Sequence, residues 1–430
     1  MYSPHSGGLI NEAMVERIAT AVDQFCAWLD RYGEVSYDHQ TFFASKLGRN
    51  AKALYYRRPF LGSCAVAPII FCEAFIPSVR RFFWRPQRFA IADAHYAMAF
   101  AFLAKVHRQQ TYYTKAVHFL ESLEETRCRD YEGYSWGYPF NWQTRNGIVK
   151  EGTPLITTVP YAYEAFSQVY AIDKDCKWIK IMHAIAEHAF DCYRDVGTGP
   201  NAASCAYTPA KDDPCSVINA SAYRAFLLTK AGVELSQPRY LEVAERNLNF
   251  VLNCQNEDGS WQYSTDGKRE FIDHFHTCFV LKALTKIEEL TACKRCGNAI
   301  ERGITYYVKN LFDVKGLPLP FSRRPRLTVY RRELYDYAEC INLCVLLYGR
   351  FPELDRTLST VVRDLLERWQ RADGAFRARE LLAGWDNVPM HRWAQSQVFR
   401  SLCFLLFRNL NRPQVSIAHH SRQSLEPTPA

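Results

Sequence analysis

Residues 238–263 read PRYLEVAERNLNFVLNCQNEDGSWQY, a run of helical pattern followed directly by a loop. In the first part, apolar residues recur at steps of three and four, as they do in an amphipathic helix: Leu241, Val243, Ala244, Leu248, Val251 and Leu252. The second part, 255–263, combines a glycine with aromatic and amide side chains and ends the helical pattern. This helix and its loop form the unit from which we predict the fold.

The same unit recurs along the chain. Helical periodicity extends over residues 11–31, 89–107, 111–125, 159–172, 177–194, 217–233, 238–254, 273–290, 297–311, 334–349, 357–370 and 391–408. Loops rich in glycine and aromatic residues occupy 133–136, 198–207, 258–261, 316–321 and 373–376. They lie roughly 60 residues apart, the length of two helices and two turns, and such a period is typical of stacked helical hairpins.

This pattern predicts an all-α protein, an (α/α)6–7 toroid of helical hairpins that forms one domain over residues 11–410. An open α-solenoid shares the periodicity and is the alternative architecture. Residues 1–10 and 411–430 are predicted to be a flexible N-terminus and a flexible C-terminal tail.

Composition limits the setting of the protein. The chain has 430 residues, of which 48% are hydrophobic and 23% charged, as in globular proteins. Its 15 cysteines are scattered, and no secretory leader is recognisable, so we expect reduced thiols and a cytoplasmic location. The most apolar stretch, 62–76, is too short to span a bilayer and is predicted to be a buried helix, with no transmembrane segment.

Metal, cofactor and nucleic-acid motifs are missing from the sequence. Cys293 and Cys296 form a lone CxxC without a second ligand pair, so no metal site is predicted and the role of this pair stays open. No phosphate-binding glycine loop occurs, and we predict chemistry without a cofactor. The net charge of +8 includes arginine clusters at 80–88 and 323–332, which favour an anionic ligand, whereas no nucleic-acid motif accompanies them.

Aromatic and amide residues in the loops indicate a carbohydrate site. Residues 134–145 contain Trp136, Trp142 and Gln143, and flat apolar rings beside amides suit the faces and hydroxyls of sugars. Packing within the loop is the structural alternative for each aromatic residue. Trp261 and Tyr263 belong to the loop at 255–263 that follows the helix described first.

Three predicted helix starts, near residues 273, 334 and 391, carry titratable or polar side chains. Asp273 and His276 lie one turn apart and are predicted as an acid–base pair, although helix capping alone would also explain Asp273. Asp336 and Glu339 share a helix face and are candidate carboxylates or complements of the helix dipole. The candidate catalytic residues are Tyr263, Asp273, His276 and Asp336, and the candidate substrate-binding residues are Trp136, Trp142, Gln143, Asn219, Trp261, Tyr337, Arg392, Trp393 and Gln395.

The loops and helix starts described above together resemble those of a family of bacterial α/α-toroid proteins associated with exopolysaccharide and O-antigen biosynthesis, with glycosidase-like or terpene-cyclase-like helical rings. The stretches that carry the resemblance are 136–143, 207–209, 219–221, 255–261, 272–277 and 392–395. The resemblance implies a cytosolic setting in the assembly or trimming of a surface polysaccharide, in contact with the biosynthetic machinery. It does not specify the reaction.

The residues leave three functions open. The first is a uronate epimerase or lyase, in which Arg392 or the arginines of 323–332 neutralise a sugar carboxylate and His276 or a tyrosine removes the adjacent proton. The second is a glycoside hydrolase with two carboxylates, Asp273 and Asp336. The third is a glycan-binding or scaffold protein without catalysis. Each would bind a polysaccharide or oligosaccharide.

Overall fold

The structure is a computed structural model that describes residues 9–325 and 328–410. Its helices are α1 (Glu12–Tyr32), α2 (Thr41–Ala44), α3 (Lys46–Arg57), α4 (Pro59–Phe75), α5 (Ala90–His107), α6 (Gln110–Glu125), α7 (Val159–Asp173), α8 (Cys176–Asp191), α9 (Ile218–Glu234), α10 (Pro238–Asn253), α11 (His274–Thr291), α12 (Lys294–Asn310), α13 (Leu334–Leu346), α14 (Pro352–Asp364) and α15 (Ser396–Leu410). Its short strands are β1 (Trp142–Thr144), β2 (Gly147–Val149), β3 (Asp195–Gly199), β4 (Ala202–Cys205), β5 (Ile272–Asp273), β6 (Phe321–Arg323), β7 (Tyr330–Glu333), β8 (Arg379–Leu381) and β9 (Trp385–Asp386).

Two concentric layers of helices form a closed ring. The inner layer is α5, α7, α9, α11, α13 and α15; each helix packs on the next, and α15 packs on α5. The outer helices α6, α8, α10, α12 and α14 cover the inner ones, and α1 covers α15. The predicted all-α toroid is therefore confirmed, with six hairpins in the described part of the chain and a closed ring instead of an open solenoid.

The inner and outer helices differ in sequence as their positions require. Helix α5 is buried on all sides along most of its length, and its many alanines let neighbouring helices approach closely. Helix α10 buries one face, which includes Val243, Leu248 and Val251, and exposes the other. The amphipathic pattern that predicted α10 is thus the pattern of an outer helix.

The two ends of the ring have connections of different length. Inner helices pass to outer helices through tight turns, in which Arg108, Lys174 and Ala292 adopt positive φ angles of 53°, 58° and 54°. Outer helices return to inner helices through long loops, and these loops contain all nine strands of the described chain. Long loops on a rigid scaffold commonly carry binding sites, so this end, which we call the mouth, is where a site is expected.

The α1–α5 connection contains an inserted helical hairpin, α3 and α4, which packs beside the mouth. Arg379 of β8 donates to Glu73 of α4 (Nη1–Oε1, 2.6 Å) and to Glu333 of β7 (Nε–Oε1, 2.5 Å). Arg80, just after the hairpin, donates to Asp386 of β9 (Nη2–Oδ2, 2.6 Å), and both side chains are fully buried. Two buried arginine–carboxylate contacts therefore fix the insertion to the toroid.

The described chain corrects two expectations about burial. Residues 62–76 do lie in a helical hairpin, but Phe71, Phe75 and Ile76 are exposed, so the prediction of a buried helix is wrong for that face. Leu9 and Ile10, assigned to a flexible N-terminus, pack against the core. Residues 1–8 and 411–430, the rest of the predicted flexible ends, lie outside the described residues. Among the helices described, none combines the length and apolar character needed to cross a bilayer.

A buried carboxylate in the first turn of α5 predicts a pH effect on stability. Burial raises the pKa of Asp93 to about 7, although Arg88 lies 2.9 Å away. Because the folded protein then binds a proton more tightly than the unfolded chain, this contribution to stability is complete below about pH 4 and is lost as the pH rises to about 7. We expect the free energy of unfolding of Asp93→Asn, relative to the natural protein, to increase across that range in denaturant titrations. A difference that is independent of pH would contradict this assignment.

Candidate active site

A cavity of about 1130 Å³ opens at the mouth of the toroid, between the long loops and the inserted hairpin. This volume is slightly above the usual range for small-molecule sites, about 300–1,000 Å³, and would accommodate more than one sugar ring. The predicted residues that line it are Trp142, Gln143, Tyr263, Asp273, His276 and Trp393. The fold thus brings together residues from three separate connections between outer and inner helices.

Other predicted residues lie away from the cavity wall. Trp136 and Trp261 are buried, and their indole N–H groups donate to the main-chain oxygens of Leu123 (2.8 Å) and Val251 (2.9 Å). These two tryptophans close the ends of the outer helices α6 and α10, and neither lines the cavity. The remaining predicted residues outside the lining are Asn219, Asp336, Tyr337, Arg392 and Gln395.

Three of these residues are buried inside the toroid. Tyr337 donates to Asp364 (2.7 Å) in the core, and Gln395 receives a hydrogen bond from the main-chain N–H of Phe376 (3.0 Å). Asn219 is buried on the inner helix α9. Tyr337 and Gln395 are therefore engaged in hydrogen bonds inside the toroid, whereas the buried Oδ1 of Asn219 makes no hydrogen bond among the described residues. None of the three lines the cavity.

Asp273 and His276 form a close pair in the cavity. Asp273 ends β5 and caps α11, where its Oδ1 accepts the main-chain N–H of His276 (3.0 Å). Its Oδ2 lies 2.6 Å from Nδ1 of His276. A carboxylate at that position accepts the Nδ1 proton, which leaves the lone pair on Nε2. The His276 side chain is 22% exposed, and no hydrogen bond to Nε2 occurs among the described residues.

Aromatic rings surround the His276 imidazole. Tyr263 meets it edge-on at 4.6 Å between ring centroids, and Phe275 lies at 4.4 Å. Burial raises the pKa of Tyr263 to about 12, so its phenol keeps its proton near neutral pH. Tyr263 can therefore donate a proton or a hydrogen bond, but the protonated phenol is unsuited to act as the base.

Trp393 and its neighbours form an aromatic wall. The Trp393 ring stacks on Tyr335 at 4.6 Å with an interplanar angle of 27°, and His39 packs against it at 4.1 Å. Arg392, next in the chain, makes a bidentate pair with buried Asp38 at 2.6 and 2.9 Å and also contacts the hydroxyl of Tyr138. Its guanidinium is engaged by Asp38, and Arg392 does not line the cavity.

The carboxylates predicted in α13 are sealed away from the cavity. Both Asp336 oxygens are buried and make no hydrogen bond within the described chain, and burial together with the nearby charge of Glu333 holds the Asp336 pKa well above its usual range. Glu339 forms an ion pair with Lys282, and burial lowers the Lys282 pKa to about 8. The predicted carboxylate pair therefore belongs to the interior of the ring.

Three residues of the cavity wall were not identified from the sequence. Glu73, Glu333 and Arg379 line the cavity as the buried cluster that fixes the inserted hairpin. Burial raises the pKa of Glu333, and the adjacent carboxylates raise that of Arg379. Glu73 is the single acidic residue in the apolar stretch 62–76, and this isolated charge was the signal that could have identified it from the sequence. Within the described residues, no group of three or more His, Cys, Asp or Glu side chains could hold a metal ion.

Unpaired cations lie at the cavity wall. Arg145, Lys268 and Arg324 line it, and among the described residues no carboxylate forms an ion pair with any of them. Arg269 and Arg323 also line it, but they are paired with Asp266 and Glu270 at 2.7 Å. The cavity therefore has positive charge that its own acidic groups leave unmatched.

Solved structures of sugar enzymes are similar to this chain. A D-mannose isomerase has a TM-score of 0.61 and 13% identity, covering 95% of this chain and 99% of its own. A cellobiose 2-epimerase from Spirochaeta thermophila has a TM-score of 0.59 and 15% identity, with coverages of 75% and 86%. The chain has an α/α-toroid fold. A polysaccharide lyase has a TM-score of 0.54 and 12% identity, with coverages of 81% and 99%. No protein-family model and no curated protein matches the chain.

Proposed function

We propose that this protein is a carbohydrate-active enzyme that removes a proton beside the carboxylate of a uronic acid, as an epimerase or a lyase. The observation that carries the proposal is the Asp273–His276 pair, which opens with a free imidazole nitrogen onto a large cavity lined by aromatic residues. The similar toroids of an isomerase, an epimerase and a lyase, all acting in carbohydrate chemistry, support it.

His276 is the proposed general base. Its Nε2 takes the proton from C5 of the sugar, and the electron pair passes into the carboxylate as an enediolate. Asp273 stabilises the resulting imidazolium through the 2.6 Å contact and keeps the ring in place. Asp273 is thus a positioning residue for His276.

The second half of the reaction distinguishes an epimerase from a lyase. In elimination, the enediolate electron pair forms the C4–C5 double bond while the C4–O bond breaks, and Tyr263 protonates the leaving oxygen. In epimerisation, a proton returns to C5 from the opposite face. Burial keeps the Tyr263 phenol protonated at neutral pH, so it has a proton to give to the leaving oxygen.

The unpaired cations support an acidic substrate. Arg145, Lys268 and Arg324 would neutralise the sugar carboxylate, which makes the adjacent C–H bond more acidic. The polysaccharide-assembly setting and the cytoplasmic location implied by the sequence resemblance are part of this proposal. A contact with biosynthetic machinery is a further part of it.

Glycoside hydrolysis is the second candidate and has less support from the geometry. It requires two carboxylates beside the scissile bond. Asp273 is engaged by His276, while Glu73 and Glu333 share Arg379. Asp336, the second predicted carboxylate, does not line the cavity.

Incubation with oligouronates in deuterated water tests the proposal. An epimerase would introduce deuterium at C5, and a lyase would produce unsaturated ends that absorb in the ultraviolet. New saturated reducing ends would instead support the hydrolase. Binding of the same glycans without any of these products would favour the glycan-binding protein and reject the proposed enzyme.

Trp142 is expected to contribute to substrate binding by stacking. Its half-buried ring packs near Tyr138 and Tyr207 at the cavity wall. Trp142→Ala should raise KM about 3–10-fold with little change in kcat, because it removes stacking from the ground state and transition state alike. Trp385→Ala is a matched control, since Trp385 is also half-buried but lies outside the cavity lining. Equal effects of the two substitutions on KM would contradict a sugar-stacking role.

A further inference from the structure

The outer face of α4 has an apolar surface that faces solvent. Residues at steps of three and four along the helix are exposed and uncharged: Phe60, Cys64, Ala67, Pro68, Phe71 and Phe75. The side chains of Phe60, Phe71 and Phe75 are 82%, 56% and 54% exposed. We call these six residues the α4 stripe. Large exposed apolar stripes of this kind mark interaction sites.

The other faces of α4 already make contacts within the protein. Val66, Ile70 and Glu73 of α4 face the mouth cavity, and Ile69 packs in a small core with Phe42 and Ala51. The α4 stripe lies on another side of the same helix. The exposed aromatic rings therefore do not belong to the substrate cavity or to the core of the hairpin.

Arginines flank the stripe at both ends. Arg57 and Arg58 precede α4, while Arg81 and Arg85 follow it, and all four are exposed. No carboxylate in the described chain forms an ion pair with them. Residues 41–88 contain nine lysines or arginines, of which Arg80 and Arg88 are paired with carboxylates outside this segment, and a single acidic residue, Glu73, which is buried against Arg379. This surface is therefore both apolar and strongly cationic.

We propose that the α4 stripe and its flanking arginines bind the surface of an anionic lipid bilayer. A helix that lies flat at a membrane interface buries aromatic residues among the acyl chains while basic residues contact the lipid headgroups. Helix α4, about 25 Å long, presents that combination, with the arginines at both ends of the stripe. The proposal goes beyond the proposed function and does not depend on it.

Charge distinguishes a bilayer from a second copy of the chain. In a symmetric dimer through α4, each stripe with its cationic flanks would face an identical cationic surface, and like charges would oppose association. Anionic headgroups supply the missing negative charge. Because Tyr55, Tyr56 and Val66 lie on the cavity side of the hairpin, binding at the stripe places the cavity wall close to the bilayer.

Sedimentation with lipid vesicles tests the proposal on the full-length protein. Binding to mixed phosphatidylcholine–phosphatidylglycerol vesicles should be at least about tenfold tighter than to phosphatidylcholine alone, and it should weaken with added salt. The Arg57→Glu, Arg58→Glu double variant should bind about 25-fold more weakly or worse, since each lost arginine accounts for about a fivefold change. The Phe71→Ser, Phe75→Ser variant should lose about tenfold or more.

A matched control uses another exposed apolar–basic pair. Val314 and Lys315 are both exposed, in a loop that is far from α4 in sequence. The double variant Val314→Ser, Lys315→Glu should leave vesicle binding unchanged. Absence of binding to the mixed vesicles would overturn the proposal. So would a stable dimer in light scattering that Phe71→Ser, Phe75→Ser converts to monomer without vesicle binding, because the stripe would then pair with a second copy. Circular dichroism verifies that each variant is folded.

Discussion

Replacing His276 with glutamine is expected to lower kcat on an acidic oligosaccharide by about 10²–10⁴-fold, the usual contribution of a general base. Glutamine retains polarity and similar size but cannot accept the C5 proton. Because His276 is partly exposed at the cavity, the substitution should leave the thermal unfolding temperature nearly unchanged. Initial rates and unfolding curves of the same preparation check both expectations.

Asp273→Asn separates positioning from folding. Asparagine caps a helix about as well as aspartate, so α11 should begin normally. The amide lacks the negative charge that stabilises the imidazolium, and turnover should fall by about 10²-fold or more. The pH dependence of kcat/KM should also change, because the environment of His276 changes. A purely structural role of Asp273 would leave that profile in place.

A second histidine–carboxylate pair serves as the control. His118 lies 2.6 Å from Glu34, and neither residue lines the cavity. His118→Gln should leave turnover unaffected. Full activity of both His276→Gln and Asp273→Asn would remove His276 from the mechanism, even if the protein still acts on sugars.

Arg80→Met is expected to cause the largest loss of stability, about 3–5 kcal/mol in the free energy of unfolding. The substitution keeps much of the volume of Arg80 but leaves the carboxylate of Asp386 buried without its partner. It also removes one of the two arginine contacts that fix the inserted hairpin to the toroid. Urea denaturation, followed by circular dichroism, measures the change.

An exposed ion pair gives the matched comparison. Arg17 lies 3.3 Å from Glu367, with side chains that are 45% and 52% exposed. Arg17→Met should change the free energy of unfolding by less than about 1 kcal/mol, because water and salt screen exposed pairs. Similar losses in Arg17→Met and Arg80→Met would contradict the importance that we assign to burial of the Arg80–Asp386 pair.

Site residues that lie close to one another in the chain could be predicted from the local sequence. Asp273 and His276 are three residues apart at a helix start, and capping geometry alone brings a carboxylate to the imidazole. The cluster of Glu73, Glu333 and Arg379 could not be predicted in the same way. Its members are more than 40 residues apart in sequence, and only the packing of the hairpin on the toroid joins them.

The tryptophans of the loops show most clearly where prediction of site residues from residue type fails. Trp136, Trp142 and Trp261 all occur in loops rich in glycine, amide and aromatic residues, and residue type alone favours the same role for each. In the fold, Trp142 lines the cavity, whereas Trp136 and Trp261 cap outer helices through main-chain hydrogen bonds. An indole suits either position, so the direction of the loop decides between them.

The helices of the toroid, their repeat and the Asp273–His276 pair at the start of α11 could be predicted from the amino-acid sequence, because each depends on side chains within one or two helical turns. Three other features became visible in the folded chain alone: α1 completes the ring beside α15, Asp38 neutralises Arg392, and one face of α4 is left in solvent. Those outcomes depend on which distant surfaces meet, and the free energy of burying a side chain is fixed by its partners across the fold.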